Sequence, residues 1–535
     1  MPDTHEVTNQ VPPLVHDVAD DPALLEGLRR EGAGWAEEEL HELGRLAGSE
    51  QGQEWGRLAN ENPPKLRTHD RYGHRVDEVE FHPHWHDLMN VAVSHGLHAS
   101  PWRQDRPGAH VARAAKVLVW NQAEPGHVCP ISMTYAAVPA LRHNPELAAV
   151  YEPLLASTEY DFGLRLPTTK RGLIAGMSMT EKQGGSDVRA NTTTATPSGD
   201  GYLLTGHKWF TSAPMSDLFL TLAQAPGGLS CFLLPRVLPD GSRNRIFLQR
   251  LKDKLGNKSN ASSEIEYDGA VGWLIGEEGR GVPTIIEMVN NTRLDCVLGS
   301  TSLMRQGVVQ AVHHASHRRA FGAYLVDQPA MANVLADLVV ESEAATTVAM
   351  RLAGAAGDPS QQAFRRLALA ATKYWVCKRG PVHAAEALEC LGGNGYVEDS
   401  GMPRLYREAP LLSVWEGSGN VVALDALRAM SKQPESVAAF FAEIGLAAGA
   451  DDRLDGAVAR LRTELSSLDD IQFRARRLVE TMALVLQGAL LVRHAPHAVA
   501  DAFCASRFGG DWGIALGTLP TGVDTKAILE RALTA

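Results

Sequence analysis

The stretch Met177-Ser178-Met179-Thr180-Glu181-Lys182-Gln183-Gly184-Gly185-Ser186-Asp187 marks where the chain changes its hydrophobic period, and its reading decides the fold. Downstream, short apolar or alternating runs appear: Tyr202 to Thr205, Leu218 to Ala223, Cys231 to Leu234 and Ile265 to Tyr267. Turn sequences such as Ser198-Gly199-Asp200-Gly201 and Pro239-Asp240-Gly241 separate them, which predicts a β domain over residues 174–277. Upstream, Trp85, Leu88, Met89, Ala92, Val93 and Gly96 keep the three-and-four spacing of one helix face, so residues 1–173 read as a packed helical domain.

Beyond Gly281 the long helical period returns. Leu335, Leu338, Val339, Ser342, Ala345, Ala349 and Leu352 form one stripe, and Leu367 to Leu391 is a second long helix. Residues 278–435 therefore read as a helical bundle. After Lys432-Gln433-Pro434 a helical extension, 436–535, carries helices near Leu454 to Leu465 and Ile471 to Leu491, with a Gly-rich end from Phe508. The expected class is α+β, in the order α, β, α, with an extra α piece.

Composition narrows the function. The 535 residues are 44% apolar and 21% charged, ordinary globular usage. The most apolar run, Met482 to Val492, is broken by Gln487 and Gly488, too short for a membrane span. Met1 to Gln10 is polar and acidic, unlike a signal or transit peptide, so a cytoplasmic location is expected. Six scattered cysteines include no C-x-x-C pair, and a net charge of −12 argues against nucleic-acid binding by the whole surface. His82, His84 and His86, and the pair His313 and His317, lack acidic or thiol partners at ligand spacing, so no metal is expected. No Gly-x-Ser-x-Gly, Walker or H-E-x-x-H motif is present.

Four segments carry chemistry. In Met177 to Asp187, small and hydroxyl residues leave backbone N–H groups free to approach a planar, acceptor-rich ligand. Gly206-His207-Lys208-Trp209-Phe210-Thr211-Ser212 puts two aromatic rings beside two hydroxyls, a set that covers a flat ring and bonds its edge, or that simply packs a core. Leu391-Gly392-Gly393-Asn394-Gly395-Tyr396 follows a long helix, and Val414-Trp415-Glu416-Gly417-Ser418-Gly419-Asn420 opens a helix over Val421 to Met430. Glu416, between an apolar ring and a glycine, is placed either as a desolvated general base or as a helix cap.

Together these segments resemble the acyl-CoA dehydrogenase family of flavoproteins, with its T-E-x-x-x-G-S-D loop, K-x-W-(I/F)-(T/S) strand, G-G-N-G-(Y/F) helix end and (Y/W)-E-G-(T/S) turn. They occur here in that order, as Thr180 to Asp187, Lys208 to Thr211, Gly392 to Tyr396 and Trp415 to Ser418. Arg30 to Trp35, Met177 to Val188, Leu251 to Ala261, Pro403 to Glu408 and the extension resemble more narrowly the family's AidB branch, associated with the bacterial response to DNA alkylation.

The resemblance implies an N-terminal helical domain, a β-barrel and a bundle that binds FAD, in a homotetramer. It implies that Met177, Met179, Thr180, Gly185 and Ser186 meet the flavin edge or phosphates, that Trp209 and Phe210 shield the ring, and that Thr211 or Ser212 lies near N5. Trp415, Gly417, Ser418, Gly419 and Asn420 would touch FAD from the other side, with Glu416 as catalytic base. Arg318 and Phe321 resemble an R-x-x-F-G element that meets FAD across a subunit contact, with Gln328 nearby. Glu389 departs from the family's usual glutamine, and a carboxylate there would repel a diphosphate.

The AidB likeness implies double-stranded DNA as a partner, with protection or alkylation response as the role and dehydrogenation weak or residual. The alternative is a true dehydrogenase of a short or branched acyl-CoA without a DNA role. Residues 436–535 hold ten basic and twelve acidic residues, a net of −2, so composition does not itself show a phosphate-binding face. Arg428, Lys432, Arg474, Arg476 and Arg477 are the candidates for one.

Overall fold

The structure is a computed structural model that describes residues 8–104, 106–511 and 513–533; most of the polar Met1 to Gln10 stretch lies outside them. The chain opens with α1 (Pro22–Arg30), α2 (Glu37–Ala47), α3 (Glu50–Glu61), β1 (Lys65–His69), β2 (Arg75–Glu80), α4 (Pro83–Ser94), α5 (Ser100–Arg103), α6 (Ala109–Trp120), α7 (Val128–Leu141) and α8 (Pro145–Leu155). Then come β3 (Ala175–Ser178), β4 (Thr194–Ser198), β5 (Gly201–Ser212), β6 (Leu218–Ala225), β7 (Gly228–Pro235), β8 (Ile246–Leu251) and β9 (Ser262–Ile275). The rest is α9 (Gly281–His317), the short pair β10 (Arg319–Ala320) and β11 (Ala323–Tyr324), α10 (Pro329–Ala356), α11 (Gln362–Glu389), α12 (Met402–Val414) and α13 (Gly419–Lys432). It ends with α14 (Pro434–Gly445), α15 (Asp452–Leu465), α16 (Ala475–His494), α17 (His497–Arg507) and α18 (Thr525–Leu533). This is the expected α+β class, a helical N-terminal region, a middle β domain and C-terminal helices.

The first third is not wholly helical. A β-hairpin, β1 with β2, interrupts it, pairing Lys65 with Glu80 and Leu66 with Val79. Its apolar residues are too few to show a period, and remote partners hold it: Arg75 donates to the Leu248 carbonyl at 2.8 Å, and Arg236 to that of Asp77 at 3.0 Å.

By contacts the described chain forms two units. The smaller covers 51–109 and 123–295. Its sheet runs β3-β6-β4-β5-β9-β7, and an added β6–β7 pairing closes a ring, with β8 on β9. Closure leaves the ring without free edges and makes the middle domain a barrel. Leu204, Phe232, Leu234, Leu248 and Ile265 fill its core. The larger unit covers 1–50, 110–122 and 296–535. Its core joins the predicted α10 stripe (Leu335, Leu338, Val339) to Phe503, Ile528 and Leu529 of the last helices.

Helix ends follow local rules. Pro22, Pro83 and Pro145 each open a helix after a side-chain cap from Asp21, His82 and Asn144. Gly96, drawn onto the α4 stripe from its spacing, lies past the helix end at φ +69, where a left-handed residue stops the helix.

Candidate functional site

In the smaller unit two of the motifs are one structure. Trp209 N–H donates to the Thr180 carbonyl at 2.8 Å, and Lys208 Nζ reaches Glu181 Oε1 at 2.8 Å with both side chains fully buried. Lys208 also donates to the Leu222 carbonyl at 2.8 Å. The Glu181 carboxylate accepts from Thr192 N at 2.7 Å, Thr193 N at 3.1 Å and Gln183 Nε2 at 2.8 Å. Burial pushes the Glu181 carboxyl up, but Lys208 and these donors outweigh it and hold it well below the usual carboxylate range. Glu181 thus anchors the loop that carries Met179, Thr180, Gly185 and Ser186. Sequence reading missed this pair; a lysine in an alternating strand was the available signal.

A β-bulge orients the aromatic pair. The β5–β9 register passes from Lys208 opposite Ile265 to Thr211 opposite Ser263, so β5 has one extra residue there. Lys208 and Thr211 are therefore both buried, while Trp209 is half-buried and Phe210 is 49% exposed. Lys252 Nζ lies 3.6 Å from the Trp209 ring centre and 4.6 Å from that of Phe210. Thr211 Oγ1 bonds Ser178 Oγ inside the wall, which leaves Ser212 as the more accessible hydroxyl. Met177, Met179 and Thr180 are half-buried, Gly185 and Ser186 exposed. At Gly185 a Cβ would lie 2.4 Å from Thr180 Oγ1, so only glycine lets the loop fold this closely over the threonine.

In the larger unit, the Trp415–Ser418 turn joins α12 to α13. Glu416 is half-buried and has a left-handed backbone, φ 58, followed by Gly417 at φ 108. Ser418 takes the N-cap position without a side-chain cap bond, so Glu416 is not the cap residue of α13. Gly419 begins the helix, and Asn420 is exposed. Beneath the turn, Lys373 Nζ donates to the carbonyls of Gly417 at 2.6 Å and Ser413 at 3.3 Å. The Gly392 to Tyr396 segment is a 3-10 turn with Gly392 at φ 60, and Glu389 is exposed.

Arg318 donates to the Asn9 carbonyl at 2.8 Å, and Phe321 stands 99% exposed at the β10–β11 tip. Gln328 donates to the Ala320 carbonyl at 3.2 Å. Of the basic candidates, Arg474 is spent on the carbonyls of Glu464, Ser467 and Asp469. Arg476 donates to the Tyr374 hydroxyl at 3.0 Å, and Arg477 pairs with Glu464 at 2.6 Å. Arg428, 72% exposed, lies 3.9 Å from Asp425, and Lys432 is exposed.

The His82, His84 and His86 side chains diverge, His84 to Asp87 at 2.8 Å and His86 to the Tyr160 hydroxyl at 2.9 Å. Asp17, Asp20 and His41, not singled out by sequence, bring ligand atoms within 4.8 Å of one another, but Arg45 stands 3.6 Å from Asp17 and supplies a positive charge already. A cleft of about 840 Å³ in the smaller unit, lined by Trp102, Arg142 and Glu152, contains none of the predicted site residues.

Comparison with known proteins identifies the family. Residues 9–162 match the adaptive response protein AidB N-terminal domain, 176–270 the acyl-CoA dehydrogenase middle domain and 279–431 the acyl-CoA dehydrogenase C-terminal domain. The chain belongs to the acyl-CoA dehydrogenase family. It is 46% identical over 94% of both chains to the putative acyl-CoA dehydrogenase AidB of Escherichia coli. It is 31% identical to acyl-CoA dehydrogenase family member 11 of Caenorhabditis elegans, over 82% of this chain and 77% of that one. The crystal structure of Caenorhabditis elegans ACDH-11 in complex with C11-CoA superposes with a TM-score of 0.85 at 28% identity, covering 99% of this chain and 94% of that one. The family is one of FAD-dependent oxidoreductases, which makes FAD the cofactor here. The residues present suit it: a flavin needs amide and hydroxyl donors at its edge, which the Gly185 fold presents at Thr180, and an aromatic face, which the bulge exposes at Phe210.

Proposed function

We propose that the chain oxidises an acyl-CoA-like thioester, with Glu416 as the base that takes a proton from the carbon next to the thioester carbonyl. FAD, when bound, supplies the hydride acceptor that no side chain provides. In the smaller unit Thr180, Ser186 and Ser212 would bond the cofactor's edge and Trp209 and Phe210 would cover its ring; in the larger unit Trp415 and Gly417 to Asn420, with Arg318 and Phe321, would serve the rest. Glu416 then holds one proton on its carboxyl oxygen until it exchanges with solvent.

The observation that carries this reading is the backbone of Glu416. A non-glycine residue at φ 58 persists only where the surroundings impose it, and such residues concentrate at functional sites. The acyl-CoA bound to the similar worm protein supports the ligand class. Glu416→Gln is expected to keep FAD and to slow flavin bleaching by acyl-CoAs about a thousandfold, the scale of a lost general base. Wild-type protein that no acyl-CoA bleaches, from short and branched to long chains, sinks the reading.

A second role, at DNA in the alkylation response, is favoured by the likeness to AidB along 94% of the chain. Its contacts would come from the exposed Arg428, Lys432 and Arg477, the last by exchanging its Glu464 salt bridge for a phosphate, rather than from Arg474, whose guanidinium is held by three backbone carbonyls. Replacing those three by alanine should weaken binding to duplex DNA and flatten its salt dependence by about 0.9 per lost phosphate contact. Unchanged affinity and slope would remove them as the DNA face. A homotetramer is part of the same proposal, since the fully exposed Phe321 ring is what a subunit contact would cover; light scattering tests it.

A further inference from the structure

We infer that Lys373 is the positioning residue of Glu416: its ammonium clamps the two carbonyls that bracket the Trp415-Glu416 segment and so fixes where the carboxylate stands. This rests on the reading of Glu416 as base. Lys373 sits in the middle of α11 and is 1% exposed. An ammonium taken out of water needs acceptors, and it finds Gly417 O at 2.6 Å and Ser413 O at 3.3 Å.

The two acceptors differ in what they contribute. Ser413 lies in the last turn of α12, where carbonyls lack intrahelical partners and carry the negative end of the helix dipole. Gly417 lies on the far side of Glu416, the second of two successive positive-φ residues. One charge thus ties the end of a helix to the far side of the strained turn. The Ser418 side chain adds no cap bond to this tie. The same α11 face supplies the floor: a Cβ at Gly419 would lie 2.7 Å from Lys378 Cε and 3.5 Å from Tyr374 Cε2. Arg476 of the extension holds the Tyr374 hydroxyl at 3.0 Å. The Glu416 turn is therefore seated on α11, with Lys373 tied to both of its sides.

Lys373→Met keeps the length of the side chain and removes charge and donors. In the full-length FAD-loaded protein it should raise hydrogen exchange at the amides of 415–419 at least about tenfold, because those amides lose their anchor. It should also lower kcat about tenfold or more with KM within about twofold, the signature of a misplaced group rather than a lost binding contact. Combined with Glu416→Gln it should cost nothing further, because Lys373 acts through the carboxylate. Lys373→Gln, uncharged and too short to hold both carbonyls, gives the same reading should the methionine variant fail to fold. Exchange at the wild-type rate, or a double variant slower than Glu416→Gln alone, overturns the proposal. Absence of bleaching in wild type would defeat the dehydrogenase reading instead, while exchange at 415–419 still decides whether Lys373 holds the turn.

Discussion

Burying one ammonium against one carboxylate, as Lys208 and Glu181 do, leaves each dependent on the other. Both are fully buried 2.8 Å apart, and the carboxylate's other acceptor sites are filled by Thr192, Thr193 and Gln183. Lys208→Met strands a buried charge, so a loss of about 3–5 kcal/mol is expected in denaturant unfolding. Adding Glu181→Gln should recover a large part, because the stranded charge rather than the missing bond dominates the cost; no recovery would refute that account. The proposed site residues Thr180, Trp209 and Glu416 could be singled out from sequence because each sits in a short contiguous motif. Their supports were not: Lys208 lies 27 positions from Glu181 and Lys373 lies 44 from Gly417, and no local spacing couples such pairs.

At the scale of elements, β5 depends on its glycine. Gly206 has φ +150, and a Cβ there would stand 2.7 Å from Thr193 Cα, a backbone atom that cannot swing aside. Gly206→Ala should therefore cost about 2–3 kcal/mol through overpacking and strain together. Gly199→Ala, at φ +63 in the β4–β5 turn with open space around it, should cost only about 1 kcal/mol. Thermal melts of the two variants compare them directly, and equal losses would show that crowding contributes nothing. The long elements were readable from period: α10 and α13 cover their predicted stretches, α11 ends at Glu389, two residues short of its predicted Leu391, and β5, β6, β7 and β9 contain the predicted runs. Boundaries moved at the ends: α16 starts at Ala475 rather than Ile471, and the Arg474 guanidinium before it binds the carbonyls of Glu464, Ser467 and Asp469. The β1–β2 hairpin escaped because its strands are mostly charged and its bonds run to residues about 170 positions away.

Across the whole molecule, helices after residue 435 are structural members of the larger unit. Arg507, fully buried, pairs with Asp337 at 2.7 Å and Glu341 at 2.9 Å, and Arg531 joins Glu343 at 2.9 Å and Glu26 at 2.8 Å. Deleting 436–535 would strand Asp337 and Glu343, leave Glu341 with Arg379 alone, and expose the core around Phe503, so an aggregated product is expected and surface substitutions are the better probe of DNA binding. The same unit holds a set of histidines that makes it sensitive to acid. Burial pushes His16, His110 and His383 down to about 4, assisted at His16 by Arg305 and at His110 by Arg365. Each folded value lies below the unfolded one of about 6.5, so protonation favours unfolding; their stabilisation is complete above pH 6.5 and is lost as pH falls towards 4. For His383, which is fully buried with Nε2 3.0 Å from the Leu338 carbonyl, the loss is about 3 kcal/mol across that window. Asp217 of the smaller unit has the opposite sign: burial raises it to about 6 despite Lys170, so its contribution is present in acid and fades as pH rises through 6. Calorimetry between pH 7.5 and 5 should show a melting temperature that falls with pH and a shallower fall in His383→Gln, whatever that variant loses at pH 7.5; a variant as steep as wild type would clear His383 of the effect.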